Sequence, residues 1–351
     1  MVITPVPSNL PGMSISGLKS WAGRSGACGS VSIIAETQGL FDTIQDAGRP
    51  GDRSCGVPLG GWFDADSAAR ANALAGNEPG SPCLEITLRS GCYRAVSGLR
   101  IAIAGPGAVI EVFRKAGVTQ TWRESVATTL SAGNSFRIHH PAKGLRSYVA
   151  VSGGGWAGRA ILGSVSTEQR IIQGMQLHSR FESPCDHSRN SSRSLAPWRF
   201  AVNGGRGELS FVTSAEFERS KNSADRFASI SWTMSDRSDR VGVRFVAVSE
   251  VDRNFDVPLD PARLSEPVVP GTIQWTGSEL IVLGVAGGTM GGYPVVGYLV
   301  RSEISVLAQI RPGEIVRLCP VSLDAAWRMT ESHDQELRKA LNRIRLAIAG
   351  R

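Results

Sequence analysis

Several signatures by which a chain announces its chemistry are missing from this 351-residue sequence. There is no GxxxxGK[ST] run, so no P-loop nucleotide site is expected. Six cysteines (Cys28, Cys55, Cys83, Cys92, Cys185, Cys319) form no CxxC pair and no zinc spacing, which leaves reduced core or surface thiols. Cys55 has no neighbouring histidine to activate it as a nucleophile. Histidines number only five. His178, His187 and His333 are isolated, and His139 and His140, adjacent on a strand, point to opposite faces. No histidine triad and no metal ligand set is assigned. The net charge of +7 is not gathered into a Lys/Arg block interleaved with aromatics; Arg237 and Arg240 flank Asp239. Nucleic acid is therefore not the expected partner, and a basic surface receiving small anions fits better. Segment 1–29 is rich in Ser, Gly and Pro without the apolar core of a signal peptide, which predicts a flexible extension on a cytoplasmic protein.

One stretch, Leu280–Val300, lacks any charge and is long enough to span a bilayer. It holds six glycines and a proline, so it reads as a strand (LIVLGVA), a loop (GGTMGGYP) and a returning strand (VVGYLV), with no membrane span. Forty glycines and 18 prolines suit a turn-rich, mainly β protein with a few short helices. Short strands with turns between them predict a barrel or sandwich in a first half over 30–180: SVSIIAE, GLFDTIQD, LEITLRS, YRAV, LRIAIAG, AVIEVFR, SFRIHH and RSYVAVSGG. Asp64-Ala65-Asp66 opens a helix that Gly76-Asn77 ends. A polar stretch over 181–194 reads as a linker or long loop, and a second strand-rich half covers 195–325. Residues 326–351 read as a C-terminal amphipathic helix, with Trp327, Leu337, Leu341 and Ile344 near helical spacing.

Among candidate sites, Gly153, Gly155 and Gly158 form a literal GxGxxG, but no parallel βαβ unit surrounds them. The charged turns carry more chemistry. Asp46-Ala47-Gly48-Arg49-Pro50-Gly51 sets an acid and a base on a Gly/Pro scaffold, Asp64 follows closely, and Arg240 stands in a second acid–base–glycine turn, SDRVGVRF. An arginine in a rigid loop suits bidentate grip on a carboxylate or phosphate. An Asp–Arg pair that merely pins a turn is the competing reading at each position. Gly291-Gly292-Tyr293-Pro294 is the matching constrained turn near the other end.

TIQDAGRPG, CGVP, D-x6-AN-x-L-x-GN and LE-x-TL, followed by SYVAVSGG, LGSVST, SDRVGVRF, SEPVVPGTIQ, GGYPVVGYLV and LAQIRPGEIVRL, resemble the biotin-dependent carboxyltransferase-like family. That family includes KipA, the C-type subunit of 5-oxoprolinase, and allophanate hydrolase subunit 2. The resemblance runs colinearly over about residues 30–325. It implies two linked cyclophilin-like β-barrel halves, and it reassigns the glycine run at 153–158 to a turn. It also implies an ATP-dependent complex that opens 5-oxoproline to glutamate, with a KipI-like B-type subunit and a third subunit as partners and a small amide as substrate. ATP would be used by the complex rather than necessarily on this chain. On this basis Asp46, Arg49, Asp64 and Arg240 become candidate catalytic residues, and Gly291, Gly292, Tyr293 and Gln309 candidate substrate-binding residues. A biotin-dependent carboxyltransferase component is the alternative, with biotin carried by another protein. A non-catalytic regulatory partner of a KipI-like protein is the third reading. Two departures stand out. Where the family runs from CGVP into Ser-Gly-Ala-Met-Asp, this chain has Leu59-Gly60-Gly61-Trp62-Phe63-Asp64. Where the family has Asp-x-Gln-Thr before GGYP, it has Ala286-Gly287-Gly288-Thr289-Met290.

Overall fold

A computed structural model describes residues 31–114, 117, 119–123, 125–140, 143–181, 206–219, 224–249 and 263–349. The expected N-terminal extension and nearly all of the expected linker lie outside these residues, as do Cys28, Cys185 and His187. The chain is mainly β, as expected from its composition.

The first half contributes two antiparallel sheets. One runs in the order β11 (Gln176–His178), β1 (Ser32–Ala35), β4 (Tyr93–Ala95), β9 (Ser135–His139), β6 (Val109–Phe113), β7 (Thr119–Arg123). The other runs β2 (Phe41–Gln45), β3 (Cys83–Thr87), β10 (Arg146–Val151), β5 (Leu99–Ala104), β8 (Val126–Leu130). Neither β7 nor β8 is among the strands expected from the sequence, although TQTWR and VATTL carry the β-branched residues that strands favour. Ile33, Tyr93, Ile110 and Phe136 of one sheet and Leu84, Ile103, Val149 and Val151 of the other share a single core. The glycine run after β10 is a turn, with Gly155 N–H donating to Val151 O.

All six residues of β10 are buried, because its second face is covered too. Helix α1 (Ala65–Ala75) lies across it, and the small side chains Ala102, Ala104, Ala127 and Ala150 admit the alanines of α1 closely. Asp64 caps α1 by accepting from Ser67 N–H, and Gly76 closes it in the left-handed conformation, as the sequence predicts.

The second half closes into a seven-stranded barrel: β12 (Arg206–Thr213), β19 (Val295–Leu299), β16 (Thr272–Trp275), β17 (Leu280–Leu283), β14 (Gly242–Ala247), β13 (Ser231–Met234) and β20 (Ile315–Pro320). A small ribbon of β15 (Glu266–Pro267) and β18 (Met290–Gly291) stands outside it. Short helices α2 (Ala215–Glu218), α3 (Ala224–Ser229) and α4 (Ile304–Leu307) fill its connections. Phe63, Leu145 and Leu88 of the first half pack into the core of this barrel, so hydrophobic burial joins the halves directly.

The C-terminal helix α5 (Leu323–Ala349) returns to the first half. Ile344, Leu341 and Ile348 complete the cluster around α1, whereas Trp327, expected on the apolar stripe, is 64% exposed. No helix among the described residues is long and apolar enough to cross a membrane.

A titratable clasp holds α5. His333 pairs with Asp66 of α1 at 3.0 Å, and that hydrogen bond raises the imidazole pKa. Arg301 pairs with Asp334. Burial pushes the Glu303 carboxyl up to about 7, against the opposing pull of His333. A carboxyl raised from 4.5 favours the fold when protonated, so that contribution is lost as pH climbs from about 4.5 through about 7. The raised histidine acts in the same direction, since its stabilisation disappears as pH rises through its folded pKa. The unfolding midpoint should therefore fall between pH 5 and pH 8, and Glu303→Gln should shrink that fall in differential scanning fluorimetry. An undiminished fall would remove Glu303 from the account.

Candidate active site at the seam of the two halves

Glu85 on β3 and Tyr148 on β10 are direct cross-strand partners, and Arg146 lies two residues before Tyr148. A strand alternates its faces, so all three emerge on the side that meets α1 and the barrel. Glu85 is 1% exposed. Its Oε2 accepts from Tyr148 Oη at 2.7 Å and from Phe63 N–H at 3.1 Å. Its Oε1 accepts from Arg240 Nη1, a donor from the turn before β14 in the other half. Arg146 Nε approaches the same oxygen at 3.7 Å. The Arg146 guanidinium stacks over the Phe63 ring at 4.6 Å and donates through Nη1 to Ala308 O.

Asp64 and Gln309 extend the network. Asp64 N–H donates to Tyr148 Oη at 2.7 Å, so that hydroxyl both accepts and donates. Gln309 Nε2 donates to Asp64 Oδ2 at 2.6 Å and to Arg146 O at 3.0 Å. Its Oε1 accepts from Leu145 and Arg146 N–H groups, each at 2.8 Å. One barrel side chain is thereby read on four sides by the first half. Arg240 completes its fork with Nη2 on Gly61 O at 2.6 Å and Nε on both Glu168 oxygens at 3.0 Å.

Electrostatics follow from burial and pairing. Burial pushes Glu85 up, but Arg240 first, then Arg146 and Tyr148, more than offset it and hold the carboxyl below its ordinary range. Burial also works against the charge on Arg240, yet Glu85 and Glu168 together raise its pKa. Arg146 shares Glu85 and has less compensation, so burial leaves its pKa lowered. Burial and the neighbouring Asp66 raise Asp64 to about 6, despite bonds from Ser67 and Gln309. The seam thus holds a charged pair beside a carboxyl raised to about 6.

Of the residues singled out from sequence, Asp64, Arg240 and Gln309 meet in this network. Asp46 and Arg49 lie next to it, on the loop that supports Gly61. Asp46 accepts from Ser164 and Ser166 hydroxyls, from Gly48 N–H at 2.9 Å and from Val165 N–H at 2.8 Å. Burial raises this carboxyl, and those four bonds override it and leave the pKa lowered. Arg49 donates to the carbonyls of Ile161, Ser164 and Ser166 at 3.0, 3.3 and 2.9 Å. Both residues therefore fasten the 161–166 turn to the 46–61 loop. Gly48 and Gly61 make that loop possible. Each has positive φ, and a Cβ would strike Leu59 O at 2.4 Å or Asp46 O at 2.7 Å.

Gly291, Gly292 and Tyr293 are placed apart from Arg240, on and after β18. A Cβ on Gly291 would strike Gln274 Nε2 at 2.4 Å, and Tyr293 is 47% exposed. Beside them, Arg53 of the first half donates to Val268 O and to Gly288 O at 3.2 Å. The two departures from the family pattern are neighbours in space: Gly60 N–H donates to Val285 O at 2.8 Å, and a Cβ on Gly284 would meet the Phe63 ring at 3.2 Å. Among the described residues, no group of three or more His, Cys, Asp or Glu is placed to hold a metal.

Glu85, Arg146, Tyr148 and Glu168 are not among the residues the sequence singles out. The available signal was a charged or hydroxyl-bearing residue inside a strand otherwise rich in apolar residues: Glu in CLEIT, and Arg and Tyr two apart in RSYVAV. Tyr148→Phe removes one bond to Glu85 and orphans the Asp64 N–H. We expect it to lower the stability of the whole chain by about 1–3 kcal/mol in urea denaturation. A change below about 0.3 kcal/mol would mean the hydroxyl is dispensable.

Residues 55–320 match the family model described as carboxyltransferase domain, subdomain A and B. The chain is 29% identical over 304 residues to the C-type subunit of 5-oxoprolinase from Escherichia coli (strain K12), covering 85% of this chain and 94% of that protein. It is 25% identical to urea amidolyase of Saccharomyces cerevisiae, covering 86% of this chain but 17% of that protein. The solved structure of TTHA0988 superposes with a TM-score of 0.70 at 26% identity over 82% of this chain, which spans 56% of the TTHA0988 chain. With the family model covering well over half of its length, the chain belongs to the carboxyltransferase A and B domain family.

Proposed function

We propose that the chain is the C-type subunit of an ATP-dependent complex that opens 5-oxoproline to glutamate. The observation that carries this reading is co-extension: the chain matches 94% of the C-type 5-oxoprolinase subunit of E. coli, against 17% of the yeast urea amidolyase. A lactam carbonyl is a poor electrophile. Phosphoryl transfer from ATP to its oxygen supplies a leaving group. Water then adds at the carbon, the ring C–N bond breaks to release the amine and leave an acyl phosphate, and a second water hydrolyses that mixed anhydride to the carboxylate and inorganic phosphate. Such a site needs cationic donors facing substrate oxygens in a water-poor setting. Arg240 fits this requirement, held by Glu85, with Asp64, raised to about 6, linked to it through Tyr148 and Glu85 as a proton-handling group. Asp46 and Arg49 act here as positioning residues that set the 161–166 turn. Gly291, Gly292 and Tyr293 belong to an outer rim on and after β18. The partners are a KipI-like B-type subunit and a third subunit, with ATP used by the assembly.

The second reading, transfer of a carboxyl group from biotin carried on another protein, draws on the match to the urea amidolyase of yeast. In that chemistry the same arginine would hold the travelling carboxylate.

Co-expression with a KipI-like B-type subunit and the third subunit should give ATP hydrolysis that depends on 5-oxoproline. An intact complex without that activity contradicts the reading. If carboxylation then appears with a biotinylated carrier, the second takes its place, and if neither appears the chain is a regulatory partner.

A further inference from the structure

Arg240 is 3% exposed, and two of its three donor edges are committed to buried acceptors, Glu85 and Gly61 O. Its third edge, Nε, faces a different kind of group. Glu168 places both carboxylate oxygens 3.0 Å from Nε, yet its side chain is 50% exposed. Among the described residues that carboxylate has no other hydrogen-bond partner. A desolvated, pre-oriented guanidinium is thus capped at Nε by a solvent-facing carboxylate.

The backbone around Glu168 explains how it can be both in place and removable. Thr167 N–H bonds Ile44 O at 3.1 Å, and Ile171 N–H bonds Asp42 O at 2.8 Å. Five residues, 167–171, are therefore set against three of β2, and the exposed run Glu168–Arg170 bulges away from the strand between two fixed points. Rotating Glu168 outward breaks no backbone bond. A second feature adjoins it. Gln45, fully buried, donates through Nε2 to Thr167 O at 2.7 Å and to Thr43 Oγ1 at 2.9 Å, while its Oε1 has no partner. A buried acceptor left without a donor is costly, and here it lies one residue from the cap.

We propose that the Nε edge of Arg240 is a carboxylate subsite, occupied in the free chain by Glu168 as an internal stand-in that the carboxylate of the substrate displaces. The ligand's identity rests on the lactam-opening reading: 5-oxoproline offers one carboxylate for Arg240. The exchange is like for like at the guanidinium, so the buried charge stays neutralised throughout. Occupancy by Glu168 in the empty state keeps the Nε N–H of Arg240 from being left without an acceptor.

The test uses the full chain, titrated calorimetrically with 5-oxoproline, with cyclopentanecarboxylate (the carboxylate without the lactam) and with 2-pyrrolidinone (the lactam without the carboxylate). Removing the competing side chain in Glu168→Ala should tighten both acids about two- to fivefold, the range an exposed ion pair contributes. Glu168→Gln should give a smaller gain, and 2-pyrrolidinone should not change. The thermal midpoint of each variant checks its fold, and Glu168→Gln, which keeps the shape, decides the matter if the alanine variant fails to fold. Acids that bind no tighter to the variants, or an equal gain for 2-pyrrolidinone, overturn the proposal. If cyclopentanecarboxylate gains and 5-oxoproline does not, the subsite stands and the lactam reading falls. An active complex whose isolated chain shows no gain has the opposite meaning.

Discussion

Burying the Glu85 carboxylate is the constraint on which the rest of this structure depends. A carboxylate taken out of water costs several kcal/mol unless its charge and lone pairs are met. β3 and β10 alone supply Tyr148 and a distant Arg146. The close counter-charge comes from Arg240, on the other half of the chain. The two halves are thus bound by the need to neutralise one side chain, in addition to the burial of Phe63, Leu145 and Leu88 in the barrel core. Gln309 and Asp64 then set the spacing: an amide that reads both the Asp64 carboxylate and the Leu145–Arg146 backbone tolerates little sliding of one half over the other.

That arrangement gives function a physical basis. Arginines that are paired and oriented in advance need no reorganisation when an anionic group arrives. Asp64, raised to about 6, adds a group able to change protonation near neutral pH beside a pair that does not. Gly48, Gly61 and Gly284 in the loops at 46–61 and 284–288 allow close backbone approach that a Cβ would block. Gly61 exposes its carbonyl to Arg240, and Gly60 ties one loop to the other through Val285. The Trp62-Phe63 replacement, which departs from the family pattern, is absorbed locally. Trp62 Nε1 donates to Gln45 O at 2.8 Å and Phe63 closes on Gly284 and Arg146. Trp62 and Phe63 therefore sit in the support of the network, bonding Gln45 O and Glu85 respectively.

Much of the fold was legible because its signals are local. The cap at Asp64 and stop at Gly76 define α1, alternating β-branched runs define most strands, and glycine pairs split the uncharged 280–300 segment. Trp327 was misplaced on the apolar stripe because helical spacing alone cannot say which of two overlapping stripes meets the neighbour. The site was half legible. Asp64, Arg240 and Gln309 lie in conspicuous turns or motifs, while Glu85, Arg146 and Tyr148 are hidden inside apolar strands. Their importance arises from contacts 63 to 163 positions apart, which no window along the chain contains. Arg49 and Arg240 look alike in sequence, each in an acid–base–glycine turn. Only the partners distinguish them: backbone carbonyls for Arg49, buried and displaceable carboxylates for Arg240.

The most direct test of this account is a double-mutant cycle on the intact chain with Glu85→Gln and Arg240→Met, read by chemical denaturation. Each single change should cost about 3–5 kcal/mol, because each strands a buried partner, and the double change should cost clearly less than their sum. Additive losses, within about 0.5 kcal/mol, would show that the two residues do not depend on each other and that the seam is held by something else.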